Sequence, residues 1–562
     1  MKHTGSQILC ESLLKEDVEV IFGYPGGQVL PLYHTLTDYP ALRHILVRHE
    51  QGAVHAADAY ARVTGKVGVC LATSGPGATN LVTGLANAYI DSIPMVAITG
   101  QVPLPMIGRD AFQEADITGI TLPVTKHNFL VMDVNDLART VKEAFYIAGT
   151  GRPGPVLIDL PRDIQQNSTE FHYPSKVNLP GYKPTRSGNP PQVKKAAKMI
   201  TEASKPVIIA GHGVRISGAY KELKQLAETT NIPVVTTLLG ISSFPESHEL
   251  SLGMLGMHGL ACANMAVTDS DLIIAIGMRF DDRATGKISA FAPNAKVVHI
   301  DIDPAEVGKN VKVDVPIVGD VRTVLLELNK ELVLGNHQEW LGQIRNWKKE
   351  YPSGYDIRNS ESILPQYVIR KIWEKTQGKA TVVTGVGQHQ MFAALHYFYD
   401  KPNSFITSGG LGTMGFELPA AFGVQVGLPD EQVWCIAGDG SIQMTIQELG
   451  TIRQENSPVK IAILNNGFLG MVRQWQELFY ERNYSATPLW CPDFVKIADG
   501  YCIPARNVTC KSEVEAAINQ AAAEEGPFIL NFIVEPEENV YPMVPPGAGI
   551  NNILHEPKKE AC

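Results

Sequence analysis

The sequence predicts an α/β protein of three consecutive domains, each built on a doubly wound parallel sheet. Short apolar runs that end in turns alternate with longer segments of helical spacing along most of the chain, which is typical of parallel strands covered by helices. The length of 562 residues allows three or four domains at roughly 150 residues each. Hydrophobic residues make up 44% of the chain and charged residues 19%, which is ordinary globular usage, so each domain can bury a core.

The first domain is predicted over residues 1–165. Its strands lie in HILVRHE, VGVCLATSGPG, MVAITGQ and PVLIDLPRD, and the segments GAVHAADAYARVTG and LVTGLANAYI between them have helical spacing. Residues 166–190 are polar and proline-rich without a sustained period, so we interpret them as a linker.

The second domain is predicted over residues 191–325, with strands in KPVIIAGHG, IPVVTTLLG, DLIIAIGMRFDD and KVVHIDIDP. A charged stretch of helical spacing at 326–361, which includes WLGQIRNWKKEYPSGYD, is interpreted as another connection. The third domain, at 362–535, contains TVVTGVGQHQ, VWCIAGDGS, VKIAILNNG and PFILNFIVEP, in an order of elements similar to that of the first. The Pro- and Gly-rich tail at 536–562 is expected to be irregular and to pack over the active site.

Composition and charge limit the possible partners. The formal net charge of -10 argues against a nucleic-acid partner, which usually requires a basic face. No stretch approaches the ~18 apolar residues of a membrane span, and the N-terminal segment resembles neither a signal nor a transit peptide. The eight cysteines form no CxxC pair, so neither a zinc site nor a disulfide framework is indicated. We therefore expect a cytoplasmic protein without nucleic-acid or membrane partners.

The segment from 433 to 467 carries the clearest chemistry. VWCIA is a predicted strand, SIQMTIQELGTIRQ has helical spacing, and VKIAIL is a second strand that ends before Asn466. In such a βαβ unit, Asp439 and Asn466 come to the same carboxyl edge of the sheet. Their oxygens, with the backbone carbonyl of Phe468, form a set that suits Mg²⁺, which takes few ligands from protein and the rest from phosphate and water.

The turn before the helix suits a phosphate group. Gly438 and Gly440 allow close approach of the backbone, and the helix that starts at Ser441 directs free N–H groups toward an anion. The pattern GDGS followed by NN at the end of an apolar strand is much more specific than a bare GDG. It resembles the cofactor motif of the thiamine-diphosphate enzymes related to pyruvate decarboxylase. The resemblance implies that Asp439, Asn466 and Phe468 hold Mg²⁺, which anchors the diphosphate of the cofactor.

Other segments resemble the acetohydroxyacid synthases, and this likeness spans nearly the whole chain. They are RHEQGAVHAADAYARVTG, GYPGG, TSGPGATN, AFQE, TKHN, SGGLGTMGF, NNGFLGMVRQWQ and YPMVPPG. The resemblance implies that pyruvate loses CO₂ and that its remaining two carbons join a second 2-keto acid. Pyruvate as acceptor gives 2-acetolactate, and 2-ketobutyrate gives 2-aceto-2-hydroxybutyrate, both in branched-chain amino-acid biosynthesis.

Glu50 is the predicted activating residue. It follows the apolar run ILV and precedes a helical segment, which places a carboxyl group at a strand end. By the resemblance, it hydrogen-bonds to the pyrimidine ring of the cofactor and reaches the site from a second subunit. The protein would then be a homodimer or homotetramer with active sites between subunits. The presence of a small regulatory subunit stays open.

The resemblance assigns further residues around the reacting carbons. Gly27, Phe112 and Gln113 face these carbons from the same side as the activating carboxyl group. Gly412 accepts a hydrogen bond from the amino group of the cofactor through its carbonyl, and Met414 supports the bent shape of the cofactor.

The sequence of the middle domain predicts a flavin cofactor. GHG follows the strand PVIIAG, but Ile216 stands where a dinucleotide fingerprint has its third glycine, so no NAD site is predicted. GMLGMHG, GMRFDDR and HIDID resemble the FAD-binding segments of biosynthetic acetohydroxyacid synthases. The resemblance implies a structural FAD, with Gly211, Gly213, Arg283 and Asp301 as its candidate contacts.

Two residues are candidates for the acceptor site. Arg279 is expected to bind the acceptor carboxylate as a bidentate donor, and Trp475 to shape the acceptor pocket. Alternatives to these roles are a surface ion pair of Arg279 with Asp281 or Asp282, and helix packing of Trp475. Glu417 departs from the family pattern, which has glycine at this position, and we expect that the backbone there needs no positive φ.

Three other functions stay open at this point. A catabolic acetolactate synthase would lack the flavin, and a pyruvate oxidase would pass electrons to it. A non-catalytic thiamine-diphosphate sensor would need the metal site but no activating acid, so Glu50 argues against that class. The preference between pyruvate and 2-ketobutyrate is not predicted.

Overall fold

The computed structural model describes residues 2–352 and 360–556. Three six-stranded sheets follow one another along the chain, and all strand pairs within them are parallel, which confirms the predicted fold class. Part of the second predicted connection, at 353–359, and the end of the predicted tail, at 557–562, lie outside the described residues. No helix within the described ranges is long and apolar enough to cross a membrane.

The N-terminal domain contains one large sheet and a short two-stranded ribbon. The large sheet consists of β2 (Val20–Gly23), β3 (Arg43–Leu46), β4 (Gly68–Ala72), β5 (Met95–Gln101), β6 (His127–Leu130) and β7 (Pro155–Pro161). The helices are α1 (Gly5–Lys15), α2 (Leu30–Leu36), α3 (Glu50–Thr64), α4 (Pro76–Thr79), α5 (Val82–Asp91), α6 (Ile117–Thr121), α7 (Leu137–Gly149) and α8 (Arg162–Gln166). Central strands β4, β5 and β7 are buried along their whole length, as expected for strands covered on both faces.

The central domain has the sheet β9 (Pro206–Ala210), β10 (Val234–Thr236), β11 (Ser251–Met254), β12 (Leu272–Ile276), β13 (Lys296–Asp301) and β14 (Val315–Val318). Its helices are α9 (Pro190–Glu202), α10 (His212–Ile216), α11 (Tyr220–Thr230), α12 (Ala261–Asp269), α13 (Asp282–Thr285), α14 (Val321–Glu331) and α15 (Gln338–Glu350). The strand order β11-β10-β9-β12-β13-β14 is that of the doubly wound dinucleotide-binding fold.

The C-terminal domain has the sheet β15 (Thr381–Thr384), β16 (Phe405–Thr407), β17 (Val433–Gly438), β18 (Lys460–Asn465), β19 (Ala505–Val508) and β20 (Phe528–Ile533). Its helices are α16 (Pro365–Thr376), α17 (Gln388–His396), α18 (Glu417–Gly427), α19 (Asp439–Ile442), α20 (Leu449–Gln454), α21 (Gly470–Phe479), α22 (Phe494–Gly500) and α23 (Val514–Ala523). Its strand order, β16-β15-β17-β18-β20-β19, matches the N-terminal order β3-β2-β4-β5-β7-β6 element by element.

Both predicted connections contain regular structure. Within the first, β8 (Ser168–Glu170) pairs antiparallel with β1 (Lys2–Thr4), so the N-terminal domain extends beyond residue 165. Within the second, α15 docks on the central domain through Trp340, whose indole N–H donates to the carbonyl of Pro206 at 3.1 Å. The helical spacing predicted for the second connection is confirmed by α15, whereas β8 was missed because a three-residue strand has almost no period.

The tail after β20 lies against the central domain and α21. The N–H of Val544 donates to the carbonyl of Met257 at 2.7 Å, and the N–H of Lys287 donates to the carbonyl of Ala548 at 2.9 Å. The N–H of Val540 donates to the side chain of Gln474 on α21 at 2.9 Å. Backbone hydrogen bonds therefore hold this irregular segment in place.

Helices α3 and α18 join the N-terminal domain to the C-terminal domain across one continuous core. A Cβ atom on Gly423 would lie 2.1 Å from the carbonyl oxygen of Ala56, so the two helix backbones can approach this closely only with glycine at that position. The alanine-rich sequence of α3 suits such contact because it is buried nearly all round.

A buried ion network reinforces this junction. Arg62 on α3 pairs with Asp58 at 2.5 Å and with Asp91 at 2.9 Å, and these three side chains are 0–2% exposed. Arg62 also donates to the carbonyl of Thr407 at 3.0 Å. Asp91 in turn accepts hydrogen bonds from the N–H groups of Gly409 and Gly410, at 3.0 and 2.7 Å. The network therefore connects α3 with the loop after β16.

Replacing Arg62 should destabilise the protein strongly. Arg62→Met leaves two buried carboxylates without their cation, and removing one partner of a buried pair typically costs about 3–5 kcal/mol. The matched control is Arg139→Met, since Arg139 pairs with Glu143 on α7 at the same helical spacing but is 53% exposed, and we expect about 1 kcal/mol or less there. Urea unfolding at neutral pH measures both variants, and equal losses of stability would contradict the assigned role.

Candidate active site

A cavity of about 1030 Å³ lies where the carboxyl ends of the C-terminal and central sheets face each other. Within the C-terminal sheet the strand order reverses between β15 and β17, and the loops that leave these strands diverge, which opens a crevice suited to a ligand. Loops after β15, β16, β17 and β18 form one wall, and loops after β9, β12 and β13 form the opposite wall. The cavity is large enough for an extended cofactor with a substrate beside it.

The three predicted metal ligands lie together on the C-terminal wall. Asp439 Oδ2 accepts a hydrogen bond from the N–H of Gly467 at 3.0 Å, and Gly467 stands between Asn466 and Phe468. Asn466 Oδ1 accepts from the N–H of Phe468 at 3.0 Å, so the side chain folds back over its own loop. The Cys491 thiol also donates to Asp439 Oδ2 at 3.0 Å. One carboxylate, one amide oxygen and one carbonyl at this spot fit a hard cation such as Mg²⁺.

The turn that follows β17 forms an anion cradle. A Cβ atom on Gly438 would lie 2.7 Å from His389 Nδ1, so only glycine lets the backbone pass so close to this ring. His389 Nε2 is buried and has no partner among the described residues. Burial lowers the pKa of His389 to about 3, so the ring is neutral at physiological pH. An unpartnered buried nitrogen beside the first N–H groups of α19 fits a bound phosphate oxygen.

The loop after β16 carries the residues predicted to orient the cofactor. Gly412 and Met414 both line the cavity, and Gly412 has a φ of +74°, which glycine adopts without strain. Glu417 is the first residue of α18, so its backbone is helical and needs no positive φ, as predicted.

The central-domain wall contains most of the residues predicted for the flavin. Gly213, Arg283 and Asp301 line the cavity, whereas Gly211 does not, because it is packed against the carbonyl of Gly277. Burial raises the pKa of Asp301 to about 6. The loops after β9 and β12 flank the point where the central strand order reverses, which is where nucleotides bind in this topology.

Both acceptor candidates line the cavity, together with a second arginine. Trp475 on α21 and Arg279 both line the cavity. The guanidinium of Arg283 lies 5.9 Å from the centroid of the Trp475 ring, within cation–π range. Asp281 caps α13, and Asp282 lies 3.7 Å from Arg283, so these carboxylates are engaged away from Arg279.

The remaining predicted residues belong to a separate surface on the N-terminal domain. Glu50, Gly27, Phe112 and Gln113 follow strands β3, β2 and β5 at the carboxyl edge of their own sheet, and none of them lines the cavity described above. Glu50 is 9% exposed, and Asn80 donates to its Oε2 at 3.0 Å. Phe112 is 85% exposed, and Gln113 has a φ of +60°. A single chain therefore keeps the predicted activating group apart from the predicted metal site.

Sequence reasoning missed several residues of the cavity. The loop after β15 supplies Val386, Gln388 and His389, and the N-terminal domain supplies Asp91 and Arg152. Gln388 Oε1 accepts from Asn466 Nδ2 at 3.2 Å, which orients the amide of that predicted metal ligand. The signal was present in TVVTGVGQHQ, because a loop that follows a strand at a reversal of strand order is a ligand-binding position.

Comparison with protein-family models gives the same order of three domains as the structure. Three family models match in order, namely the thiamine pyrophosphate enzyme N-terminal TPP binding domain at residues 3–120, the central domain at 193–328 and the C-terminal TPP binding domain at 385–532. The fold and the site thus define a thiamine-pyrophosphate enzyme.

Similar proteins show to which family of thiamine-pyrophosphate enzymes this chain belongs. The chain is 52% identical to an acetolactate synthase of Mycobacterium leprae, over 98% of this chain and 90% of that protein. It is 51% identical to the acetolactate synthase large subunit of Corynebacterium glutamicum, with the same coverage. It is 46% identical to the isozyme 3 large subunit of Escherichia coli acetolactate synthase, over 98% of both chains. The protein belongs to the acetolactate synthase large-subunit family, which confirms the resemblance to acetohydroxyacid synthases.

Proposed function

We propose that this chain is the catalytic subunit of a biosynthetic acetolactate synthase that uses thiamine diphosphate, Mg²⁺ and a structural FAD. Two pyruvate ions and one proton give 2-acetolactate and CO₂, and 2-ketobutyrate as acceptor gives 2-aceto-2-hydroxybutyrate. The observation that carries the proposal is one cavity that is lined both by the oxygen-ligand cluster with its anion cradle and by arginine and tryptophan side chains. The first part suits a metal-bound diphosphate, and the second suits a small 2-keto acid.

Thiamine diphosphate, when bound, supplies the carbon that adds to a 2-keto carbonyl and takes up the electron pair released with CO₂. Asp439, Asn466 and the carbonyl of Phe468 would hold the metal, and the N–H groups after Gly438 would bind the diphosphate oxygens. Met414 and Gly412 would orient the other end of the cofactor. These side chains contribute position and charge, because the reactive carbon belongs to the cofactor.

A second copy of the chain supplies Glu50 in this proposal. Glu50 would hydrogen-bond to the aminopyrimidine ring and move a proton at its ring nitrogen. Support comes from apolar side chains exposed in the loops after β2 and β5, at the same edge, where Leu30 is 53% exposed and Phe112 is 85% exposed. Large apolar side chains exposed next to an incomplete site are typical of an interface. The protein would therefore be at least a homodimer with two shared sites.

The flavin proposal rests on the central domain. Its strand order is that of dinucleotide-binding domains, and its loops form one wall of the cavity. Arg152, Arg283 and the carboxylate of Asp301 offer ligands for phosphate and ribose groups. FAD at this place would complete the cavity wall and would not take part in the carbon–carbon bond formation.

We extend the proposal to a partner subunit and to the location of the protein in the cell. The Corynebacterium glutamicum and Escherichia coli relatives are named large subunits, which implies a smaller subunit beside each of them. We extend this to a small regulatory subunit for the present chain, in the cytoplasm.

Product analysis tests the function directly. Pyruvate alone should give 2-acetolactate, and added 2-ketobutyrate should also give 2-aceto-2-hydroxybutyrate, while a bound flavin keeps its visible absorption throughout turnover. A colourless active enzyme would indicate the catabolic type, and a flavin bleached by pyruvate would indicate an oxidase. A protein that binds thiamine diphosphate without turnover would indicate a sensor.

We expect different effects from substitutions of Trp475 and Arg279, the two residues proposed for the acceptor pocket. Trp475→Leu should lose most of any preference for 2-ketobutyrate, since contact with one methylene discriminates by roughly 10- to 200-fold. Arg279→Lys should weaken use of both acceptors, because it removes bidentate binding of the carboxylate that they share. A competition assay at fixed pyruvate and varied 2-ketobutyrate measures both effects.

Matched variants make this assay decisive. Trp490→Leu changes a tryptophan that is 87% exposed and should leave the product ratio as it is. An unchanged ratio in Trp475→Leu would return Trp475 to a packing role. If Arg283→Lys weakens both acceptors and Arg279→Lys does not, the carboxylate belongs to the arginine beside Trp475.

A further inference from the structure

Glu417 is a fully buried acid directly behind the anion cradle, and no step of the proposed reaction uses it. Its Oε2 accepts a hydrogen bond from the hydroxyl of Ser441 at 2.9 Å. Its Oε1 is buried without a partner among the described residues. A Cβ atom on Gly385 would lie 2.1 Å from Oε2, so glycine there leaves the space that the carboxyl group occupies. The surrounding structure therefore holds the Glu417 carboxyl group in a defined position, and one of its oxygens lacks a hydrogen-bond partner among the described residues.

Ser441 connects this acid to the cavity. It closes the GDGS turn, lines the cavity and is 1% exposed. Its oxygen accepts from the N–H of Gly415 at 3.0 Å, while its only hydrogen goes to Glu417. A hydroxyl group has a single hydrogen to donate. While Glu417 is ionised and takes that hydrogen, Ser441 cannot donate to a diphosphate oxygen in the cavity.

The protonation state of Glu417 is open to change near neutral pH. Burial raises the pKa of Glu417 to about 7, and the hydrogen bond from Ser441 opposes this rise. A protonated Glu417 can donate to the Ser441 oxygen, which frees the serine hydrogen for the cavity.

Three elements packed against α18, the helix that begins at Glu417, carry ionisable groups. Strand β17 brings Cys435, whose thiol pKa is raised by burial and, second, by Glu417 itself. Helix α3 brings Glu50, the Asp58–Arg62 pair and His55, which lies against Phe416 and stays neutral because burial lowers its pKa to about 3. The turn before α20 brings Glu448, which accepts from the N–H of Arg48.

We propose that Glu417 is a positioning residue for the diphosphate end of the cofactor, because its protonated form releases the Ser441 hydrogen to the diphosphate and its ionised form withholds it. The proposal rests on the diphosphate position given under the proposed function. Binding of the anionic cofactor then favours protonated Glu417 for two reasons, namely the gained hydrogen bond and the removal of a nearby like charge. Cofactor binding consequently takes up a proton near neutral pH.

The sign of the pH dependence follows directly. The tighter-binding form is the protonated one, so the extra affinity is present below the pKa of Glu417 and is lost as pH rises through about 7. One net hydrogen bond changes affinity by roughly 2- to 12-fold.

Calorimetric titration of the apoprotein with thiamine diphosphate and Mg²⁺ tests the proposal. In wild type the affinity should fall from about pH 6 to about pH 8, and titrations in two buffers of different ionisation enthalpy should reveal proton uptake. In Glu417→Gln the amide donates to Ser441 at every pH, so the affinity should stay at the low-pH level. The difference between the two proteins cancels the titration of the cofactor itself. Identical pH profiles and identical proton uptake would overturn the proposal.

Two further variants distinguish a wrong role for Ser441 from a wrong position of the diphosphate site. Ser441→Ala keeps the acid but removes the hydroxyl, so it should bind weakly at low pH and keep only that part of the pH-dependent difference that comes from the charge of Glu417, even if Glu417→Gln folds poorly. A pH-dependent difference as large in Ser441→Ala as in wild type would contradict the role of the serine. Asp439→Ala should lose Mg²⁺-dependent binding, since it removes the charged metal ligand. Wild-type affinity in Asp439→Ala would mean that the diphosphate site itself is misplaced.

Discussion

Asp91 lines the cavity and connects the three domains through its carboxylate and its backbone carbonyl. It receives Arg62 from α3 and the N–H groups of Gly409 and Gly410 from the C-terminal domain, while its backbone carbonyl meets His212 of the central domain at 2.9 Å. Because the Asp91 and Arg62 side chains are buried, each needs its partner, and the relative placement of the domains becomes well defined. The loop that carries Gly412 and Met414 leaves directly from this junction, so cofactor orientation depends on it.

The same junction keeps two groups of predicted site residues apart within one chain. With α3 packed on α18, the loops of the N-terminal sheet that carry Gly27, Phe112 and Gln113 do not reach the cavity of their own chain. The N-terminal and C-terminal sheets share one strand order, so each presents a crevice of the same kind at its carboxyl edge. In a dimer with twofold symmetry, the N-terminal crevice of each chain would face the C-terminal crevice of the other chain. Two equivalent sites would form in this way.

Sequence reasoning predicts those parts that depend on local patterns. Fully apolar strands identify the sheets, and the GDGS segment identifies the candidate metal ligands, because a buried parallel strand and a phosphate-binding segment both require particular residues at fixed spacing. The Arg62–Asp91 network joins positions far apart in the chain, so no local pattern reveals it. Gly211 was predicted as a ligand contact, but the structure uses it for backbone packing against Gly277, and a glycine looks the same in either role. Glu417 was noted only as a departure from a pattern, and its burial beside Ser441 became visible only in three dimensions.

Complementation between two inactive variants tests the shared site most directly. Glu50→Gln and Asp439→Ala chains carrying different tags are co-expressed, and the mixed dimer is purified through both tags. If Glu50 of one copy serves the metal site of the other, one of the two sites is intact, and activity should reach about half that of wild type per dimer. If each chain formed its own site, both sites would be defective, and a mixed dimer as inactive as its parents would contradict the account.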